Sequence, residues 1–290
     1  MDLSFATRHD TEAVRHLWEV CFKDETHYMD TFFFRMYKPE NTCVARDNGL
    51  VISSLQMFPH TLCVKEKKFN SMYIGGVDTL PAYRGQGIAT DLIAFAEKQM
   101  KKQHIDIAFL VPVSSAFYYK MGYRPLSFLS EFSGPLSALS SFSEHFEAGE
   151  TPAVPPILAY ESFARQFPLF LERDISRFSN EIIPLSESEC YVLPDMTGYI
   201  LYTVQDNTFM GWECAYSDET TLRKLLAFVY KKYGYMAQFR IRVPADGTAR
   251  SVLYDSTVIE TRRLHAMAKS LSPVALPQCM ENYINMIGWF

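Results

Sequence analysis

The stretch Val77-Asp78-Thr79-Leu80-Pro81-Ala82-Tyr83-Arg84-Gly85-Gln86-Gly87-Ile88-Ala89 decides how this chain is read. Its first residues continue an apolar run from Met72 to Leu80 that reads as a strand. From Ile88 to Lys102, the residues Ile88, Leu92, Phe95, Ala96 and Met100 recur at helical spacing. The glycines between strand and helix let backbone N–H groups come close to a ligand, and the helix N-terminus adds partial positive charge. That combination suits a pyrophosphate. It is not a Walker loop, because no Lys-Ser/Thr pair follows the glycines. It is not a dinucleotide fingerprint either, because Thr90 stands where the third glycine belongs.

A second segment lies downstream. Ile105 to Val111 reads as a buried strand, and Ser114 to Met121 as a short helix that Gly122 ends. Tyr118 stands four residues before Gly122, and Tyr123 opens a further strand to Phe132. Upstream, Asp10 or Thr11 caps a helix to Phe22 with Ala13, Val14, Leu17, Trp18 and Cys21 on one face. An aromatic-rich helix follows from about His27 to Tyr37. Strands are expected at Cys43–Arg46, Leu50–Met57 and Thr61–Val64, with turns at Asp47-Asn48-Gly49 and Lys65–Lys68.

Beyond Gly134 the chain is rich in Ser, Pro, Glu and Gly as far as Pro156, which reads as a connection between domains. A second block then offers a helix at Tyr160–Phe167, and strands at Glu189–Leu193, Gly198–Val204 and Thr208–Tyr216. A helix at Thr220–Tyr233 and a strand at Ala237–Val243 complete it. The strand–helix–strand order at 208–243 echoes the one at 72–111.

Composition supports two cores. The 290 residues are 48% hydrophobic and 21% charged, with 22 Phe, 17 Tyr and 3 Trp. The net charge of −5 falls entirely in residues 136–290, which argues against a broad nucleic-acid surface. The six cysteines show neither C-x-x-C pairs nor zinc spacing, so no metal is expected. The N-terminus shows no leader pattern, and no apolar run approaches the ~20 residues of a membrane span. These features point to a cytoplasmic protein with reduced thiols and no membrane partner.

The pattern Arg-x-x-Gly-x-Ala at Arg84, Gly87 and Ala89 resembles the acetyl-CoA pyrophosphate loop of the GNAT N-acetyltransferase superfamily. Leu110 to Tyr123 resembles that family's strand and helix bearing Phe-Tyr-x-x-x-Gly-Phe/Tyr. The resemblance implies an α/β fold of mixed sheets and acetyl-CoA as acyl donor. It implies direct transfer to a primary amine of a small molecule, aminoglycoside- or polyamine-like, or of a peptide. Tyr118 would lie near the thioester sulfur and protonate the leaving thiolate. The pantetheine would run along Val77, Asp78 and Thr79. The diphosphate would meet Arg84, Gly85, Gln86, Gly87, Ile88, Ala89 and Thr90. No cysteine stands in these motifs, so nothing calls for an acetyl-enzyme.

The resemblance extends to the Eis-like family, with two GNAT-like domains in tandem, the second degenerate. Residues 1–135 are the expected catalytic domain, 136–156 the linker, and 157–290 the second domain with its tail. Ser217-Asp218-Glu219-Thr220 replaces the glycine loop in the second block, so no second CoA is expected there. The family's third, sterol-carrier-like domain has no counterpart in Pro273–Phe290, which leaves a homo-oligomer an open expectation. In that family the terminal carboxylate serves as general base, so Phe290 is the first candidate here. The bland reading of the apolar tail is that Trp289 and Phe290 fill a groove. Asp78 and Glu131 are further base candidates, read mainly as structural. Tyr28, Met29, Phe32, Phe33, Phe34, Met36 and Tyr37 crowd the expected acceptor side, mostly as core. Two competing functions are a CoA-binding regulatory protein without turnover and a tRNA-dependent aminoacyl transferase, which needs a basic groove.

Overall fold

The computed structural model describes residues 1–146, 149, 156–245, 247–277 and 282–285. It divides into two units, Met1–Arg124 with Met267–Leu276, and Pro125–Ala266 with Pro277–Phe290.

In the first unit, β1 (Asp2–Phe5), β2 (Thr42–Asp47), β3 (Leu50–Val64) and β4 (Lys67–Thr79) are antiparallel neighbours in that order. The two strands expected at Leu50–Met57 and Thr61–Val64 are one. β3 runs straight through the exposed Pro59, because cross-strand pairing with β4 continues on either side of it. Helices α1 (Thr11–Phe22) and α2 (Thr26–Arg35) lie between β1 and β2 in the chain. Helix α3 (Ile88–Lys102) buries Leu92, Ile93, Ala96 and Met100, a stripe at i, i+1, i+4 and i+8. It carries the chain over to β5 (Ile107–Leu110), which lies parallel to β4. α4 (Ser115–Lys120) follows, and then β6 (Arg124–Pro135) begins. The last residues of a strand from the chain's far end, β12 (Ile259–Ser270), pair antiparallel with β5 through Met267–Ser270.

The second unit repeats the plan. β8 (Glu189–Val192), β9 (Gly198–Gln205) and β10 (Thr208–Tyr216) are antiparallel, α8 (Glu219–Tyr233) follows, and β11 (Gln238–Pro244) returns parallel to β10. β11 then pairs antiparallel with β6. α5 (Ile157–Ala164), the short β7 (Leu169–Leu171), and α6 (Ile175–Arg177) and α7 (Ile183–Ser186) around a π-helical stretch at Phe178–Ile182 complete one side. α9 (Thr248–Val252) precedes β12. Residues Leu136–His145, inside the expected linker, form 3₁₀ turns whose Leu136, Leu139 and Phe142 join the α8 core.

A buried ion pair organises the unit's other face. Arg173 donates to both oxygens of Glu213, at 2.6 and 3.1 Å, and to the Asn285 carbonyl at 2.7 Å. The Tyr283 hydroxyl donates to Glu213 at 2.7 Å, and Tyr199 donates to it as well. Arg173 also stacks over the Tyr160 ring. Residues 282–285 are thereby held within this unit, with Asn282 donating to the Leu126 carbonyl at 2.9 Å.

Candidate active site

The site grows from the divergence of two parallel strands. β4 pairs with β5 only over Ser71–Tyr73, opposite Ile107–Phe109, yet it stays paired with β3 as far as Thr79. From Ile74 onward its other edge has no strand partner among the described residues. Val77, Asp78 and Thr79 lie on this stretch; the Asp78 carbonyl accepts from the Ser53 hydroxyl and the Thr79 carbonyl from Arg84 Nε, so both are engaged within the chain.

Side chains there are tied inward. The Asp78 carboxylate accepts from the Ser54 N–H at 2.7 Å and the Ser54 hydroxyl at 3.1 Å. Burial pushes the Asp78 carboxyl well above the ordinary carboxylate range against those bonds. The Asp78 carboxylate is thus held against β3 within the sheet. The other alternative base, Glu131, belongs to the second unit and accepts from Arg242 at 3.3 Å, with Arg263 at 3.8 Å.

The loop that follows is pinned at its base and exposed at its crest. Tyr83 donates to Asp47 at 3.3 Å, and Arg84 Nε donates to the Thr79 carbonyl at 3.0 Å. Arg84, Gly85, Gln86 and Gly87 are exposed. Gly87 takes a left-handed φ of 84° as the cap of α3, and no side chain caps the helix. The leading N–H groups at Ile88, Ala89 and Thr90 lack intrahelical acceptors, as in any first turn. A diphosphate has the acceptor oxygens that such a terminus needs.

At the other end of the divergence stand phenol hydroxyls. Tyr118 is 8% exposed on α4, and burial pushes its hydroxyl up to about 12. The Tyr73 hydroxyl accepts from the Val111 N–H, and burial, with Tyr28 and Tyr118 nearby, raises it further. Tyr28 stacks on Phe32 at 6.3 Å and is raised by burial and by Asp24. Tyr73 is a residue that sequence reasoning missed, since only the β4–β5 register reveals where the strands part. Of the aromatic crowd on α2, Met29 and Phe32 are core and Phe34 is 87% exposed. Trp18 packs against Phe22, Phe32 and Phe33 while its Nε1 donates to Asp24 at 2.7 Å. Phe290 lies outside the described residues, as does Trp289.

No cluster of three or more His, Cys, Asp or Glu is placed to hold a metal among the described residues. No described helix is long and apolar enough to cross a membrane.

Residues 2–126 match the acetyltransferase (GNAT) domain family. The first unit thus carries a GNAT acetyltransferase domain, and the chain is of the transferase class. No curated protein matches the sequence. Among solved structures the fold is similar to a conserved protein of unknown function, probable N-acyltransferase, from Enterococcus faecalis V583. That likeness has a TM-score of 0.76 and 16% identity, covering 93% of this chain and 72% of the other. A GCN5-related N-acetyltransferase from Anabaena variabilis gives 0.75 and 16%, covering 93% and 73%. Eis1 from Mycobacterium abscessus gives 0.71 and 15%, covering 93% and 74%. At these identities the likeness is one of fold. It extends along nearly the whole chain and agrees with an Eis-like tandem of GNAT-like units.

Proposed function

We propose that this protein is an acetyl-CoA-dependent N-acetyltransferase acting on a primary amine of a small molecule or peptide by direct attack. The observation that carries the reading is the divergence of β4 from β5, with a glycine-capped helix N-terminus at one end and the buried Tyr118 at the other. Acetyl-CoA, as co-substrate, supplies the acyl group as a thioester. Arg84 and the first turn of α3 hold its diphosphate, and the free edge of β4 orients the pantetheine. Tyr118 holds a proton at its Oη for the departing sulfur.

The acidity of Tyr118 bears on that role. A phenol raised to about 12 stays protonated at neutral pH. A free thiol near 8.5 gives a thiolate too weakly basic to take that proton readily in water. Burial raises thiols as it raises phenols, and Cys43, in the same unit, is pushed up to about 12 by burial alone. A thiolate shielded from water would be the better base toward Tyr118, since proton transfer is most efficient between groups of similar acidity. The second unit takes no part in CoA binding, since the Asp218 carboxylate already caps α8 by accepting from the Thr221 N–H at 2.8 Å.

The test is free-thiol release from acetyl-CoA across a panel of amines, with wild type, Tyr118→Phe and a chain lacking Trp289 and Phe290. Turnover with one amine class that collapses in Tyr118→Phe, while acetyl-CoA still binds, supports the reading. Loss in the shortened chain as well would place the amine's proton acceptor in the tail. Acetyl-CoA binding without turnover on any amine would favour a regulatory CoA-binding role instead.

A further inference from the structure

The end of β12 brings Lys269 into the first unit. Its ammonium donates to Glu97 Oε2 at 2.6 Å. Glu97 sits on α3, the helix whose N-terminus forms the diphosphate loop, and it is only 8% exposed. Its other oxygen, Oε1, is buried without a hydrogen-bond partner among the described residues. The same ammonium lies 5.8 Å from the centre of the Tyr123 ring, and the Lys269 stem runs past Gly122, where a Cβ would come within 3.5 Å of Cε. The Tyr123 hydroxyl is buried and unpartnered too. It faces Glu97 closely enough for that charge and a loose hydrogen bond to raise it, after burial, although the pair falls short of a well-formed hydrogen bond.

This cluster stands directly behind Tyr118. Gly122 takes a φ of 90° just past the end of α4. The Tyr123 N–H donates to the Tyr118 carbonyl at 3.1 Å, and the Gly122 N–H to the Tyr119 carbonyl at 3.1 Å. That reciprocal pair is a Schellman turn. The Tyr118 and Tyr123 rings also meet edge to face at 6.0 Å. The residue facing Glu97 is thus the one whose backbone and ring both bear on Tyr118. A buried carboxylate stripped of its counter-charge is strongly unfavourable. Without Lys269, Glu97 would seek the nearest donor, and Tyr123 is poised to become it. Drawing Tyr123 toward α3 would shift the turn and the Tyr118 hydroxyl with it.

We propose that Lys269 is a positioning residue for the Tyr118 hydroxyl: it neutralises Glu97 and so holds in place the Tyr123 turn that closes on Tyr118. Its catalytic consequence rests on Tyr118 being the proton donor proposed above; the positioning itself does not.

The experiment labels tyrosine with ¹³C at Cζ and assigns Tyr118 and Tyr123 from their Phe variants. Lys269→Met should shift both resonances and leave the exposed Tyr254 unmoved. The double variant Glu97→Gln/Lys269→Met, which has no charge to neutralise, should return Tyr118 to its wild-type position. In the amine assay, kcat should fall about tenfold in Lys269→Met, with KM for acetyl-CoA changed less than about twofold. A Tyr118 resonance unmoved in folded Lys269→Met, or a loss that the double variant does not recover, overturns the proposal. Should Lys269→Met not fold, Lys269→Arg and the double variant carry the test, and a shifted Tyr118 in either refutes it. The resonance needs no turnover, so an inactive wild type would sink the acetyltransferase reading and leave the positioning role to be decided on its own.

Discussion

Replacing Arg173 with Met probes how the second unit holds the segment at 282–285. The Glu213 side chain has no solvent exposure, and that of Arg173 has 2%. Of the four donors on Glu213, the variant removes the two from Arg173 and leaves the hydroxyls of Tyr199 and Tyr283. Breaking a buried pair in this way typically costs about 3–5 kcal/mol. The Asn285 carbonyl also loses its donor, which adds about 1 kcal/mol. The expected loss is thus about 4–6 kcal/mol. Urea unfolding of variant and wild type measures it. A loss under about 1 kcal/mol would refute the reasoning.

Three further outcomes are expected. Tyr118→Phe should lower kcat by about a hundredfold, and wild-type kcat should show no alkaline fall from Tyr118 up to about pH 10, because its hydroxyl keeps its proton to about 12. Titration calorimetry should count one CoA per chain, and Asp218→Ala should cost about 1 kcal/mol of stability without creating a second site; two CoA per chain would contradict the capped reading of α8. His265, which burial and then Arg242 hold down at about 3, stays neutral in the folded protein while the unfolded chain protonates near 6.5. Its contribution is present above about pH 6.5 and lost below it, so wild type should lose up to about 2 kcal/mol more than His265→Gln between pH 7 and 5.

What could be read from the sequence follows how local the signal is. Helix α3 spans Ile88–Lys102, as its apolar stripe predicts, because glycine at one end and a buried stripe leave one helical solution. β10 spans Thr208–Tyr216, also as read, between two turns. β12 carries no such signal. Its first half is exposed and bears Glu260, Arg262 and Arg263, and only Ala266–Ala268 are buried in succession. Without β12, neither Lys269 nor the strand that flanks β5 could be found. The position of Tyr73 was hidden for a related reason: it depends on where β4 and β5 cease to pair, a property of two strands thirty-odd residues apart in sequence. Glu97 carries no distinguishing signal in the sequence, because its partner lies far along the chain.

The two units show why the fold by itself does not assign the site. Each has a strand, a helix and a parallel return strand, and in each the helix points its N-terminus out of a strand-to-helix junction. At α3 that junction is Gly87, and no side chain among the described residues caps the helix. At α8 it is Asp218, whose carboxylate takes the Thr221 N–H and is held below the usual carboxylate range by that bond first of all. The helix dipole stabilises a negative charge in both places. In the second unit the charge is built into the chain, and an incoming diphosphate would meet both a bound amide and a like charge. In the first unit no described side chain meets that demand, and the Nε of nearby Arg84 is tied back to Thr79. One framework thus leaves an uncapped helix N-terminus in the first unit, where the diphosphate is proposed to bind, and a self-capped helix in the second, and the difference rests on the residue at each helix cap.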